Sequence, residues 1–199
     1  VDRTATISAI ATSAFSWGDY LNATEDNSDG TVSVTTSGVE NGQAVTITLN
    51  SLTYTANVSS NAATVTITAS DLQALSEGSY TLTADVSDVA GNAAATVTSS
   101  SFTVDRTATI SAIATSAFSW GSHLNATEDN SNGTVSVTTS GVEDGQTVTI
   151  TLNSATYTAN VSSDAATVTI TASGLQALSE GSKTLTADVS DVAGNAAAT

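Results

Sequence analysis

Oxygen is the one ligand chemistry this sequence offers in quantity. The stretch Asp85-Val-Ser-Asp88-Val-Ala-Gly91-Asn92 sets two carboxylates three residues apart, then a glycine that permits a tight turn, then an amide oxygen. The same eight residues recur from Asp188 through Asp191 to Asn195. Calcium binds roughly six to eight oxygens, drawn from carboxylates, amides, backbone carbonyls and water. Nothing here supplies the nitrogen or sulfur that zinc prefers. There is no Cys, and the lone His123 stands where the other copy has Tyr20, so it reads as a surface residue. The competing reading of the loop is an ordinary turn, in which Asp and Asn cap backbone groups.

The elements that position these oxygens come in two copies. Residue i matches residue i+103 without a gap, from Val1/Val104 to Thr96/Thr199, and about nine of roughly 96 pairs differ. The sequence therefore divides into a first domain over 1–103 and a second over 104–199, each near the size of a single sandwich. Val32 and Val34 alternate with Ser33 and Thr35, and Val45, Ile47 and Leu49 with Thr46 and Thr48. This period of two, rich in β-branched residues, predicts strands with one buried and one wet face. Strands are expected over 4–11, 31–37, 44–50, 53–59, 63–69, 79–87 and 93–104, with one helical turn over 70–75. The alternation changes phase between Ile7 and Ile10, and again between Val97 and Phe102, which implies a bulge or a switch between sheets. Phe15, Trp17 and Leu21 are expected to plug the bottom of the core.

Strands running alternately up and down sort the acids by end. Asp2, Glu40, Asp85, Asp88 and Asn92 should converge at the top of the first domain. Asp105, Glu143, Asp188, Asp191 and Asn195 form the matching set of the second. Tandem stacking would put Asp105 between the two domains. The four carboxylates of such a set would repel one another without a cation. Asn22, Glu25, Asp26, Asp71 and Glu77 belong to the bottom. Asn22, Glu25 and Asp26 are candidates for a second calcium site, although Asn22 with Glu25 three residues later also reads as a capping box. Asp19, Asp29 and Asp71 become Ser122, Asn132 and Gly174 in the second copy, so they are not essential ligands if both copies bind ions alike.

Composition narrows the partners. The 199 residues carry 19 acids against three Lys and Arg, for a net charge of −16. Phosphate recognition needs clustered basic residues, so nucleic acid is excluded as a partner, and an anionic membrane surface with it. The apolar share of 40% and the regular strand patterns argue against disorder. No apolar run approaches the length of a membrane span. With no initiator Met and no signal peptide in view, the sequence reads as a piece of a longer chain.

Several motifs together resemble a known family. They are Val-Asp-x-Thr-Ala at each repeat start, Thr-Ser-Gly-Val-Glu-Asn-Gly-Gln over 36–43, Val-Thr-Ile-Thr-Leu-Asn followed by Thr-Tyr-Thr-Ala, Leu-Gln-Ala-Leu-x-Glu-Gly-Ser, and Val-Ser-Asp-Val-Ala-Gly-Asn. The sequence is similar to the bacterial Ig-like extender repeats of giant RTX adhesins exported by type I secretion. The resemblance covers nearly the whole chain. It implies β-sandwich domains strung into a calcium-rigidified stalk, exported before folding, that holds a ligand-binding domain away from the bacterial cell surface. The partners it implies are calcium ions and neighbouring repeats of the same chain, within a monomeric segment. The linker residues Asp2 and Asp105, and Asp88, Asn92, Asp191 and Asn195, match the family motif best, with Glu40 and Glu143 in the facing loop. The family often has Pro after Thr-Ala, where Thr6 and Thr109 stand here, so linker stiffness would rest more on the ion. The second copy also stops at Thr199, short of the residues matching 97–104, and its last strand is expected to be incomplete.

The expectation is thus an all-β chain of two tandem Ig-like antiparallel β-sandwich domains, acting as a structural spacer with Ca2+ as its ligand. A carbohydrate- or ice-binding module is the alternative. A twisted sandwich is a poor flat face for ice, and exposed Thr rows follow from strand propensity alone. An enzyme is not expected, because one His and no Cys leave no nucleophile, base and acid to assemble.

Overall fold

The computed structural model describes residues 3–199. Two compact units divide the chain, Val1–Arg106 and Thr107–Thr199. Both are built of sheets that are antiparallel, apart from one short parallel pairing of Thr103–Val104 with Tyr20–Leu21 in the first unit, with one short α-helix each. No helix among the described residues is long and apolar enough to cross a membrane.

The first unit runs β1 (Thr6–Ile7), β2 (Tyr20–Leu21), β3 (Gly30–Ser37), β4 (Ala44–Leu49), β5 (Leu52–Asn57) and β6 (Ala62–Ile67). It continues through α1 (Ala69–Gln73), β7 (Gly78–Tyr80), β8 (Thr83–Asp85), β9 (Val97–Thr98) and β10 (Phe102–Val104). One sheet orders β1-β3-β6, a second β5-β4-β8-β9, and a third, smaller one β2-β10-β7. The valines of β3 explain the pairing. Val32 and Val34 are fully buried and lie opposite Val65 and Ala63 of β6, while Ser33 and Thr35 face water. On the facing sheet Val45, Ile47 and Leu49 do the same work, so the two inner faces close on one core, as in a sandwich of the Ig type.

The expected strand over 93–104 is two strands in different sheets. β9 pairs with β8, and β10 passes between β2 and β7. The phase change in the sequence marks this crossing. Ser99 holds the corner: its buried hydroxyl accepts the Leu82 N–H at 3.0 Å, and its own N–H donates to the Leu82 carbonyl at 2.9 Å. That exchange breaks the expected strand 79–87 into β7 and β8. The first strand shrinks to Thr6–Ile7, because the chain leaves the sheet once Ile10 must turn inward.

At the bottom, Phe15, Trp17 and Phe102 form an aromatic nest. Phe102 lies edge-on to both rings, with centroids 5.5 and 5.3 Å away. Gly30 lies directly beneath Trp17, and a β-carbon there would come within 2.5 Å of the indole. Leu21 is buried against the same group.

The second unit repeats the order as β11 (Thr109–Ile110), β12 (Gly133–Ser140), β13 (Thr147–Leu152), β14 (Ala155–Asn160), β15 (Ala165–Ile170), α2 (Ala172–Gln176), β16 (Leu185–Ser190) and β17 (Ala196–Ala198). Its sheets are β11-β12-β15 and β14-β13-β16-β17. The third sheet of the first unit has no counterpart among the described residues. Positions 123–124 and 181–183, which match β2 and β7, carry no strand.

Candidate functional site

The loop after β8 closes on itself through Asp88. This carboxylate is 3% exposed. Its Oδ1 accepts the Asn92 backbone N–H at 2.7 Å, and its Oδ2 accepts the Asn92 side-chain amide at 2.6 Å. Backbone bonds from Asp88 N–H to the Asn92 carbonyl and from Gly91 N–H to the Asp88 carbonyl complete the turn. Gly91 sits at φ +87°, which a side chain rarely adopts. The Asn92 side-chain hydrogen bond is the main cause holding the Asp88 carboxyl below the ordinary Asp range, against the opposing effect of burial.

Glu40 reaches this loop from the connection between β3 and β4. Its Oε2 accepts the Val89 N–H at 3.0 Å. The second unit repeats the arrangement: Asp191 brackets Asn195 at 2.7 Å from each oxygen, and Glu143 Oε2 accepts the Val192 N–H at 2.9 Å. Glu40, Asp88 and Asn92 are therefore brought together in one unit, and Glu143, Asp191 and Asn195 in the other.

Asp85 and Asp188 are not brought into these groups. Three residues along an extended strand reverse the face, so Asp85 points away from Asp88. It lies opposite Thr46 and accepts the Thr96 hydroxyl. Asp188 is exposed between Thr149 and Ala198. Asp105 follows β10 in the first unit, is half-buried, and donates its N–H to the Leu21 carbonyl at 3.0 Å. Asp2 lies outside the described residues.

The bottom acids are engaged differently. Asn22 Oδ1 accepts the N–H groups of Thr24 and Glu25 at 2.9 and 3.0 Å, and Glu25 Oε2 accepts the Asn22 N–H at 3.1 Å. This reciprocal pair is a capping box for the 3-10 turn Glu25–Asn27. Asp26 is buried and takes an ion pair from Arg106 Nε at 2.6 Å. Arg106 also donates from Nη1 to the Leu75 carbonyl at 2.7 Å and from Nη2 to the Leu72 carbonyl at 2.8 Å. The guanidinium thus ties the end of the first unit to the carbonyl end of α1, where a cation is favoured. Sequence reasoning missed this residue. Its scarcity was the available signal: the chain has three Lys and Arg, and two of them, Arg3 and Arg106, directly follow the linker residues Asp2 and Asp105.

Among the described residues no three Asp, Glu or His side chains group closely enough to hold a metal ion. The donors at the loop ends are nonetheless all oxygen. Glu40 is exposed, and its Oε1 accepts no hydrogen bond among the described residues. Such a set fits a hard cation that takes its remaining ligands from elsewhere.

The bacterial Ig-like domain family model matches residues 24–106. No curated protein matches the chain. Among solved structures the chain is similar to a Ca2+-stabilized adhesin that helps an Antarctic bacterium reach out and bind ice. The identity is 32% and the TM-score 0.51, over 99% of this chain and 47% of that one. It is also similar to a 1.5-MDa bacterial ice-binding adhesin, at 30% identity and TM-score 0.49, over 98% of this chain and 63% of that one. A bacterial immunoglobulin-like domain from the M. primoryensis ice-binding adhesin matches at 31% identity and TM-score 0.35, over 51% of this chain and 95% of that domain. The chain spans about half the length of the first of these and less than two thirds of the second.

Proposed function

The chain belongs to the bacterial Ig-like domain family, and on that premise we propose that it is a structural extender of a bacterial surface adhesin, stiffened by calcium and without catalytic activity. It would lie outside the cell, with neighbouring repeats of the same protein as its partners, and project a distal ligand-binding domain. The observation that carries the reading is the recurrence of one oxygen cluster, Glu40 with Asp88 and Asn92, as Glu143 with Asp191 and Asn195. The 32% identity to a calcium-stabilised adhesin across 99% of the chain supports it.

Calcium, when bound, would supply the divalent charge that lets carboxylates from separate segments lie close together. The chain's own residues prepare for that. Asn92 and Asn195 each brace the carboxylate before them, and the Val89 and Val192 N–H groups aim Glu40 and Glu143 at the same loop. In this reading a third carboxylate would come from the linker residues, Asp2 and Asp105. Asp85 and Asp188 are left out, because Asp85 points away from Asp88 and accepts the Thr96 hydroxyl, and Asp188 stays exposed on its strand. Asn22, Glu25 and Asp26 are left out, because the capping box and the Arg106 ion pair account for these residues without an ion.

Extracellular modules bind calcium at about 10⁻⁴–10⁻³ M, so each site would add roughly 1.4–2.7 kcal/mol at about 10 mM ion. For domains of this size that is roughly 6–20 °C in melting temperature. Calorimetry in calcium and in chelator tests it. The expected result is a drop of that order in chelator, smaller in Glu143→Gln and in Asp105→Ala but retained in Asp71→Ala. Equal melting with and without chelator would overturn the proposal.

A further inference from the structure

The chain passes from β10 to β11 through Asp105-Arg106-Thr107-Ala108, with no Gly/Ser spacer and no Pro. β10 is paired on both edges, antiparallel with β7 and parallel with β2. Asp105 extends that hold by donating its N–H to the Leu21 carbonyl at 3.0 Å. The Arg106 N–H then donates to Glu77 Oε1 at 3.3 Å. Its guanidinium spends Nε on the buried Asp26 carboxylate, Nη1 on the Leu75 carbonyl and Nη2 on the Leu72 carbonyl. Backbone and side chain of Arg106 are thus both fastened to the first unit, at three separate segments of it.

One residue later the attachment changes. The Thr107 carbonyl packs on Gly141, which sits at φ +67°. A β-carbon at 141 would collide with that carbonyl, so the close approach needs glycine. Gly38 receives the Thr4 carbonyl in the same way in the first unit, so the contact belongs to each unit's own packing. The division between the compact units falls at the same place, between Arg106 and Thr107.

We infer that the joint is a single peptide bond, Arg106–Thr107, and that Arg106 is a lock which fixes its first side without any ion. The peptide unit is planar and stiff, so the soft rotations left at the joint are ψ of Arg106 and φ of Thr107. A Gly/Ser spacer would instead spread freedom over many residues. Arginine suits the lock because its planar fork donates in several directions at once, which a lysine ammonium cannot reproduce. The groups that hold it, Asp26, Glu77 and the two helix-end carbonyls, lie outside the clusters of Glu40 with Asp88 and of Glu143 with Asp191. A stiff extender, as proposed above, needs such a joint, but the lock does not need calcium. Removing the ion would release the two rotations and leave the segment up to Arg106 pinned.

Trypsin tests this directly, because it cuts after Lys and Arg and the chain offers Arg3, Arg106 and Lys183. Lys183 is exposed and outside any strand, so its cleavage serves as the reference. The 199-residue chain is digested in calcium and in chelator, at a temperature where circular dichroism shows both units folded. Cleavage at Arg106, read as fragments 1–106 and 107–199, should lag far behind cleavage at Lys183 in both conditions. Asp26→Asn removes the buried charge partner, and Arg106→Lys keeps a trypsin site but loses the fork. Each should speed cleavage at position 106 roughly 10- to 100-fold, since proteolysis follows the population of the opened segment. Chelator that shifts the melting temperature but not the cleavage supports both the lock and the calcium reading. Chelator that shifts neither overturns the calcium reading alone and supports the lock. Cleavage at Arg106 as fast as at Lys183 in chelator would overturn the lock, and so would parent-like rates in both variants.

Discussion

Tyr54 and Tyr157 occupy matching places above matching helices, but Asp71 faces the first where Gly174 faces the second. Burial, then the hydrogen bond and negative charge of Asp71, push the Tyr54 phenol up to about 12. In the other copy the Tyr157 hydroxyl fills the space a β-carbon at 174 would need. A phenol whose folded pKa lies above its ordinary value near 10 contributes stability that is complete below about pH 10 and lost as pH rises through about 12. Asp71→Gly should therefore lower the Tyr54 midpoint, read from tyrosinate absorbance in a pH titration. An unchanged midpoint would show that the carboxylate does not act on the phenol. The exchange of Asp71 for Gly174 in the sequence suggests only that no shared ligand sits there. The link to Tyr54 joins a strand to a helix seventeen residues away, and no local pattern reports it. The pairing of Glu40 with the Asp88 loop was legible, because up-and-down strands bring those two connections to one end. The separation of Asp85 from Asp88 follows from the same strand periodicity that located the strands.

Among the elements, β10 carries the most weight for its length. Three residues fill the aromatic nest and join β2 to β7, and Arg106 secures the segment just beyond. Arg106→Ala leaves the buried Asp26 carboxylate and two helix-end carbonyls without their partner, at a cost of about 3 kcal/mol. Lys183→Ala, an exposed change, should stay within about 0.5 kcal/mol. Urea unfolding of the first unit measures the former and that of the second unit the latter, and a double mutant with Asp26→Asn isolates the Arg106 pair. If Arg106→Ala costs no more than Lys183→Ala, the anchor is not formed. The long alternating strands β3, β4, β5 and β6 lie close to where the periodicity puts them. The strands that leave one sheet for another are shorter than expected. Their breaks depend on Ser99 meeting Leu82, a contact between distant segments that periodicity does not contain.

For the molecule as a whole, the excess of acids is the governing property. A net charge of −16 on 199 residues opposes compaction and close approach of like-charged segments. Salt screens that repulsion without specificity, whereas a cation held between loops and linker would cancel it at defined points. The proposed stalk depends on this difference. Monovalent salt should not reproduce the effect of calcium at equal ionic strength.

Small-angle scattering of the 199-residue chain, in millimolar calcium and then in chelator at matched ionic strength, tests this most directly. The account expects a single narrow distribution of interatomic distances with calcium, broadening to that of two freely pivoting domains when the ion is removed. The same broad distribution under both conditions, or the same narrow one, would contradict it.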